Sequence, residues 1–237
     1  MIGVNKIMKC VILAGGKGTR ISELSKEIPK PMINILGEPV IIKIMKQYTK
    51  YGIKDFIIAA GYKKEIIKNY FKKKKFKNWN VKVVDTGLKT MTGGRIKRLK
   101  KYLKNDTFML TYGDGVSNVN IKKLLSFHLE NKKIATLTAV RPSARFGAIR
   151  IKGKKITYFK EKSKLDEGWI NGGYFVLEPK IFNYIRGDKT FFEREPLQKI
   201  SKINQLYAFK HKGFWQCMDT LRDKELLENG LKKIKNF

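Results

Sequence analysis

Cys10-Val11-Ile12-Leu13-Ala14-Gly15-Gly16-Lys17-Gly18-Thr19-Arg20 is the stretch that decides how this chain folds. Five apolar residues in a row stop at two glycines. A short apolar run bounded by turn residues reads as a strand buried on both faces, as in a parallel sheet. The glycines that follow let backbone N–H groups approach a phosphate with no Cβ in the way, and Arg20 brings a charge suited to a triphosphate. The spacing matches neither the dinucleotide fingerprint nor the P-loop, whose first Gly and Gly-Lys pair are separated by four residues. For the glycines alone, a tight turn that needs positive φ stays open as the plainer reading.

Outward from this stretch, strand and helix patterns alternate. Helical spacing covers Val40 to Tyr51, with Gly52 as its stop. Phe56 to Ala60 reads as a second buried strand, followed by a helix over Glu65 to Phe71 and a strand over Val81 to Val84. A helix over Ile96 to Leu103, a strand over Thr107 to Thr111, a helix over Ile121 to Leu129 and a strand over Ile134 to Val140 continue the series. Such alternation predicts βαβ units and a parallel sheet covered on both faces. After Pro142 the pattern changes. Phe146 to Ile151 and Ile156 to Phe159 read as a hairpin around Lys152-Gly153-Lys154, and Gly172 to Leu177 as a strand. Helices are expected over Lys180 to Ile185 and Glu195 to Ile203, a late strand over Leu206 to Phe209, and a closing helix over Leu221 to Ile234. The expected fold class is α/β, a parallel sheet flanked by helices on both faces, with a small added lobe after Pro142. Residues 1–237 read as one domain.

Length and composition narrow the function classes. At 237 residues the chain holds one large α/β domain and not two independent enzymes. It contains no run of eighteen uncharged apolar residues, so no membrane span is expected. The start lacks the apolar stretch of a signal peptide, which points to the cytosol. Cys10 and Cys217 read as free thiols. The formal net charge is +32, yet only nine of the 52 basic residues are arginine and the lysines are spread along the whole chain. Nucleic-acid surfaces favour clustered Arg at base edges, so this excess is read as a coding bias that still gathers small anions. His128 and His211 have no Ser, Cys or Asp arrangement beside them, which argues against a hydrolytic triad.

Three further places carry chemistry. Lys30, in Pro29-Lys30-Pro31-Met32, is held between prolines that fix the backbone, and so makes a better placed phosphate ligand than a lysine in a mobile run. Asp114, in Tyr112-Gly113-Asp114-Gly115, follows a strand and faces the crevice where parallel sheets bind ligands. A carboxylate there suits Mg²⁺ held by one or two carboxylates and phosphate oxygens. Asp219 precedes the last helix and reads equally as an N-cap. The segment Thr86 to Arg95 joins a strand to a helix, and its bare backbone at a helix start favours an anion or a polar base edge.

Taken together, these motifs resemble the glucose-1-phosphate cytidylyltransferases of the sugar nucleotidyltransferase superfamily. The likeness runs from Met8 to about Lys224 and rests on Val11 to Arg20, Lys30-Pro31-Met32, Val84-Asp85-Thr86-Gly87, Met91-Thr92-Gly93-Gly94-Arg95, Tyr112-Gly113-Asp114-Gly115-Val116, Ile170-Asn171-Gly172-Gly173, Phe214-Trp215-Gln216 and Met218-Asp219-Thr220. It implies a Rossmann-like, mixed but mostly parallel sheet flanked by helices with a small sugar-side lobe, and leaves Met1 to Ile7 outside the family start as an unstructured extension. It implies an enzyme that joins CTP and α-D-glucose 1-phosphate to CDP-glucose for surface polysaccharide of the O-antigen type. It implies that Leu13, Ala14, Gly15, Gly16, Lys17, Gly18, Thr19 and Arg20 wrap the nucleotide, with Thr90, Arg95 and Gly113 also touching it. It places Lys30 on the phosphate of the sugar, Mg²⁺ between Asp114 and Asp219, and Glu161, Lys162 and Asn171 toward the sugar phosphate. Arg20, Lys30, Asp114 and Asp219 are the expected catalytic set. Intact Lys30, Asp114 and Asp219 speak against a non-catalytic sensor on the same fold. Small-molecule partners, no nucleic acid, no membrane and a homo-oligomer are expected. The chain departs from the family pattern in three ways. Only Lys72 to Asn78 remains where a longer insert is usual, Cys217 replaces a common Pro, and Ser163 follows Lys162 where Pro is common. The sugar, and another nucleoside triphosphate, therefore stay open.

Overall fold

The apolar run at Cys10 becomes the middle of a sheet because it has no polar face to turn toward water. A computed structural model describes residues 8–74, 76–142, 148–160 and 168–234. In it β1 spans Lys9–Ala14, and a short helical passage leads through Thr19–Ile21 and α1 (Ser22–Ser25) to a 3-10 turn at Lys30–Met32. The small hairpin β2 (Asn34–Ile35) and β3 (Glu38–Pro39) precedes α2 (Val40–Thr49). Then come β4 (Asp55–Ala60), α3 (Lys64–Lys73), β5 (Asn80–Asp85), α4 (Thr92–Arg98), α5 (Lys100–Leu103), β6 (Phe108–Tyr112), β7 (Gly115–Ser117), α6 (Ile121–Asn131) and β8 (Ala135–Val140). The later part holds β9 (Ala148–Lys152), β10 (Lys155–Lys160), β11 (Ile170–Leu177), a 3-10 stretch at Pro179–Tyr184, α7 (Glu195–Lys202), β12 (Leu206–Lys210), β13 (Trp215–Cys217) and α8 (Leu221–Lys232).

Seven strands form the main sheet in the order β12-β8-β11-β6-β1-β4-β5. Neighbours are parallel throughout, except that β11 runs antiparallel to β6 and to β8. The period of two along β1 sends Cys10, Ile12 and Ala14 into one core, with α2, α6 and α8. Val11 and Leu13 enter the other core, with α4, α5 and α7. Cys10, Val11 and Ile12 are all fully buried. Each such aliphatic side chain contributes about 1.5–3 kcal/mol relative to exposure, so the sheet is anchored where the sequence pattern is densest. The hairpin β9–β10 forms a separate two-stranded sheet at the place expected for the sugar-side lobe; Phe146, where its first strand was expected to begin, lies outside the described residues, as does the extension Met1 to Ile7.

Several elements differ from expectation. The helix placed over Ile96 to Leu103 starts four residues earlier and breaks at Leu99, whose φ and ψ are −90° and 0°. Gly93 and Gly94, poor helix formers, disguise that start. They are tolerated because another backbone lies against them: a Cβ on Gly94 would stand 2.5 Å from Cα of Asp188. The helix expected over Lys180 to Ile185 is the tighter 3-10 form, with Pro179 in its first turn. Four short strands were not foreseen: the pair β2 and β3, and the pair β7 and β13, which run antiparallel with Cys217 opposite Gly115. Among the described residues no helix is long and apolar enough to cross a membrane.

Candidate active site

The unforeseen pair β7–β13 builds the site. It lies beyond the carboxyl end of β6, and its ladder is extended by the Met218 amide, which donates to the Asp114 carbonyl at 3.0 Å. Asp114 and Asp219 thereby meet at one point. The Lys30 ammonium fills that point, with Nζ donating to Asp114 Oδ2 at 2.6 Å and to Asp219 Oδ1 at 2.6 Å. Arg20 Nη1 donates to the other oxygen, Asp219 Oδ2, at 2.6 Å. Lys30 is placed as its flanking prolines suggest, in the 3-10 turn closed by the Met32 amide on the Pro29 carbonyl. Its side chain is only 10% exposed, whereas that of Arg20 is 75% exposed. Burial alone would depress the Lys30 pKa; the Asp114 and Asp219 carboxylates outweigh that and hold it above the ordinary value. Arg20, Lys30, Asp114 and Asp219 thus form one cluster.

The N-cap reading of Asp219 is settled by its neighbour. Thr220 caps α8 in a reciprocal capping box with Asp223, and this leaves the Asp219 side chain turned to Lys30. Among the described residues no group of three or more His, Cys, Asp or Glu could hold a metal ion. Two carboxylates aimed at one cation position nevertheless suit Mg²⁺, which keeps water and phosphate oxygens in the rest of its shell. The residues present fit that ion.

Beside the cluster, Arg95 holds the glycine loop in place. It is 4% exposed, and its Nη2 donates to the Gly15 carbonyl at 2.8 Å. Its Nη1 donates to Thr86 Oγ1 and to the Gly87 carbonyl, both at 2.7 Å. Arg95 therefore ties the carboxyl ends of β1 and β5 together, a role the sequence did not suggest. A Cβ on Gly15 would lie 2.1 Å from Arg95 Nη1. Gly15→Ala is accordingly expected to cost about 1–3 kcal/mol of stability through overpacking and to raise KM for the nucleotide more than for the sugar phosphate. Thermal melts with initial rates against each substrate check this, and an unchanged melting temperature would show that the loop yields freely.

The remaining positions fall into place around these two groups. The Gly113 amide donates to the Leu13 carbonyl at 3.0 Å, fastening the turn before Asp114 to β1. Gly16, Lys17, Thr19 and Arg20 form an exposed rim, with Ala14 buried and Gly18 half-buried. Thr90 is buried against Gly87. Glu161 and Lys162 lie outside the described residues. Asn171 Nδ2 donates to the Tyr112 hydroxyl, a long contact at 3.4 Å. The start of α4 does not offer its amides to an anion, as the sequence suggested. Met91 donates to the Asp188 carbonyl at 2.8 Å and Gly93 to that of Thr190 at 2.9 Å, so a protein segment already satisfies that end. Tyr112 and Glu193 were not foreseen. The Tyr112 hydroxyl donates to Glu193 Oε1 at 2.7 Å. His128 bridges the Thr136 hydroxyl and the Glu178 carboxylate, but Thr136 and His128 are fully buried and closed to a substrate; His211 bonds the Phe214 carbonyl.

Residues 9–223 match the family model described as Nucleotidyl transferase. The chain is 48% identical to the glucose-1-phosphate cytidylyltransferase of Salmonella typhimurium, over 93% of this chain and 95% of that one. It is 35% identical to the D-glycero-alpha-D-manno-heptose 1-phosphate guanylyltransferase of Campylobacter jejuni, over 81% and 86%. The crystal structure of HddC from Yersinia pseudotuberculosis superposes with a TM-score of 0.74 at 27% identity, covering 94% of this chain and 99% of that one. With the carboxylate pair, the lysine between them and the glycine loop in place, the chain belongs to the nucleotidyl transferase family, on its glucose-1-phosphate cytidylyltransferase branch.

Proposed function

We propose that this enzyme joins CTP and α-D-glucose 1-phosphate to give CDP-glucose and pyrophosphate. The observation that carries the reading is the Lys30 ammonium held between Asp114 and Asp219 at the carboxyl edge of a parallel sheet. An oxygen of the sugar phosphate attacks the α-phosphorus in line; the new P–O bond forms as the bond to the β-phosphate breaks and pyrophosphate departs. A phosphate monoester is already largely dianionic near neutral pH, so no general base is required. The protein's work is to orient two anions and to offset their repulsion. Lys30 holds the phosphate of the sugar, and the exposed Arg20 neutralises the triphosphate. Mg²⁺, when bound by Asp114 and Asp219, supplies further charge on the reacting phosphate. The loop Leu13 to Arg20, shaped from below by Arg95, carries the nucleotide together with Thr90 and Gly113, while Asn171, Glu161 and Lys162 serve the sugar phosphate.

CTP is preferred in this reading for two reasons. Identity to the Salmonella cytidylyltransferase, 48%, exceeds that to the Campylobacter guanylyltransferase, 35%. The Thr86 to Arg95 segment also carries the Met-Thr-Gly-Gly-Arg run. Cytosine donates from its 4-amino group where uracil accepts, and an acceptor facing that position satisfies one base and opposes the other. CTP and UTP supplied at equal concentration with glucose 1-phosphate should yield CDP-glucose as the dominant product by mass. A mixture dominated by UDP-sugar overturns the nucleotide assignment and leaves the fold standing. On the same reading the chain works as one domain, in the cytosol, as a homo-oligomer, and its product feeds surface-polysaccharide synthesis.

A further inference from the structure

The segment from Arg186 to Arg194 crosses the site side of the molecule as a strap, and its attachments are uneven. On the α4 side it is held several times over. The Met91 and Gly93 amides bond its carbonyls, and Arg98 forks onto Asp188 with Nε to Oδ1 at 2.9 Å and Nη2 to Oδ2 at 2.6 Å. On the β6 side Phe192 is buried against Phe175 of β11, and one half-buried carboxylate makes the hydrogen bond. Glu193 Oε1 accepts from the Tyr112 hydroxyl at 2.7 Å, while its Oε2 accepts from Thr92 Oγ1 at 2.6 Å. Thr92 in turn accepts from the Phe192 amide at 2.8 Å. The Tyr112 hydroxyl is also the group that Asn171 Nδ2 reaches, and Asn171 Oδ1 accepts from the Gly173 amide at 2.9 Å. One chain of hydrogen bonds therefore runs from the nucleotide-side helix through Glu193 and Tyr112 to the sugar-side turn at Asn171.

We propose that Glu193 is a positioning residue for the sugar phosphate, acting through Tyr112 on the Asn171 turn; this rests on the reading of Asn171 as a sugar-side group. The asymmetry of the strap says where the effect falls. Removing the carboxylate leaves the start of α4 held by the Met91, Gly93 and Gly94 amides and the Arg98 fork, so the nucleotide side stays in place. The Tyr112 hydroxyl keeps only its long contact with Asn171, and the turn loosens.

The test measures initial rates against each substrate, with calorimetric titration of glucose 1-phosphate and of CTP, on the full chain and three variants. Glu193→Ala and Tyr112→Phe should each raise KM for glucose 1-phosphate about tenfold, with KM for CTP within about twofold of the parent, the size expected for one hydrogen bond lost from a positioned group. Glu193→Gln should restore most of the loss, because its amide oxygen still accepts from Tyr112 while its amide nitrogen donates to a reoriented Thr92 hydroxyl. An alanine variant that binds glucose 1-phosphate as the parent does, or whose two KM values rise together, overturns the proposal. Tyr112→Phe decides the matter if Glu193→Ala fails to fold. A parent that binds CTP but not glucose 1-phosphate sinks the substrate reading instead, and so the two failures are told apart.

Discussion

Asp219→Ala is expected to stay folded and to lose turnover by about a hundredfold or more, the usual consequence of losing a ligand that concentrates charge on a reacting phosphate. Among the described residues the side chain lies outside both core clusters, and its carboxylate bonds Lys30 and Arg20 in the site. Lys30 keeps Asp114 as a partner when Asp219 goes, so the lysine is not stranded. Asp114→Ala should behave alike, because the bond that fastens β7 to the Met218 amide uses the Asp114 backbone carbonyl and not its carboxylate. Pyrophosphate release across a Mg²⁺ titration, with circular-dichroism melts alongside, reads both quantities. Near-parent rates at limiting Mg²⁺ would remove these carboxylates from the chemistry. The double variant differs in kind. It leaves a mostly buried ammonium with neither carboxylate, and should cost about 3–5 kcal/mol of stability, as broken buried pairs do.

Lys30→Met produces the opposite imbalance. Two carboxylates then converge with no ammonium between them and repel one another at close range, with the exposed Arg20 left on Asp219. The affinity for glucose 1-phosphate should fall about tenfold or more, the order expected for a lost charge-assisted hydrogen bond, while CTP, which also has Arg20 and the loop, should lose less. Mg²⁺ should raise the melting temperature of this variant more than that of the parent, since the ion restores the missing charge. Separate calorimetric titrations and melts with and without Mg²⁺ decide it. A loss confined to CTP would move Lys30 to the triphosphate side, and equal Mg²⁺ stabilisation of both proteins would mean that the carboxylates do not share the ion.

The sheet was readable because its strands are short apolar runs that stop at glycine or proline, as Leu13-Ala14-Gly15 shows. Lys30 was readable for a local reason too, since the prolines beside it set its backbone. The meeting of Asp114 with Asp219 was not. It depends on two three-residue strands, too short to show a period, from distant parts of the chain. Whether Asp219 caps α8 or faces the site turns on Thr220, and both residues are good caps. Arg95 was visible as a charge near the loop, but its use as an internal tie depends on two carbonyls and a hydroxyl converging from the carboxyl ends of β1 and β5, which no local pattern records. Glu193 sits in Phe191-Phe192-Glu193-Arg194. One signal was available, a lone acid behind two aromatics and ahead of Glu195-Pro196, yet nothing there names Tyr112 as its partner.

The ladder between β7 and β13 also fixes when the site can exist. Chains emerge from the ribosome at about 5–20 residues per second, amino end first. Lys30 is separated from Asp114 by 84 residues and from Asp219 by 189. All seven strands of the main sheet precede Asp219. A growing chain can therefore emerge with its whole sheet while the charge cluster still lacks its last carboxylate. On the roles proposed for Asp114 and Asp219, a chain whose synthesis has not yet reached Asp219 holds Lys30 against one carboxylate and lacks the second.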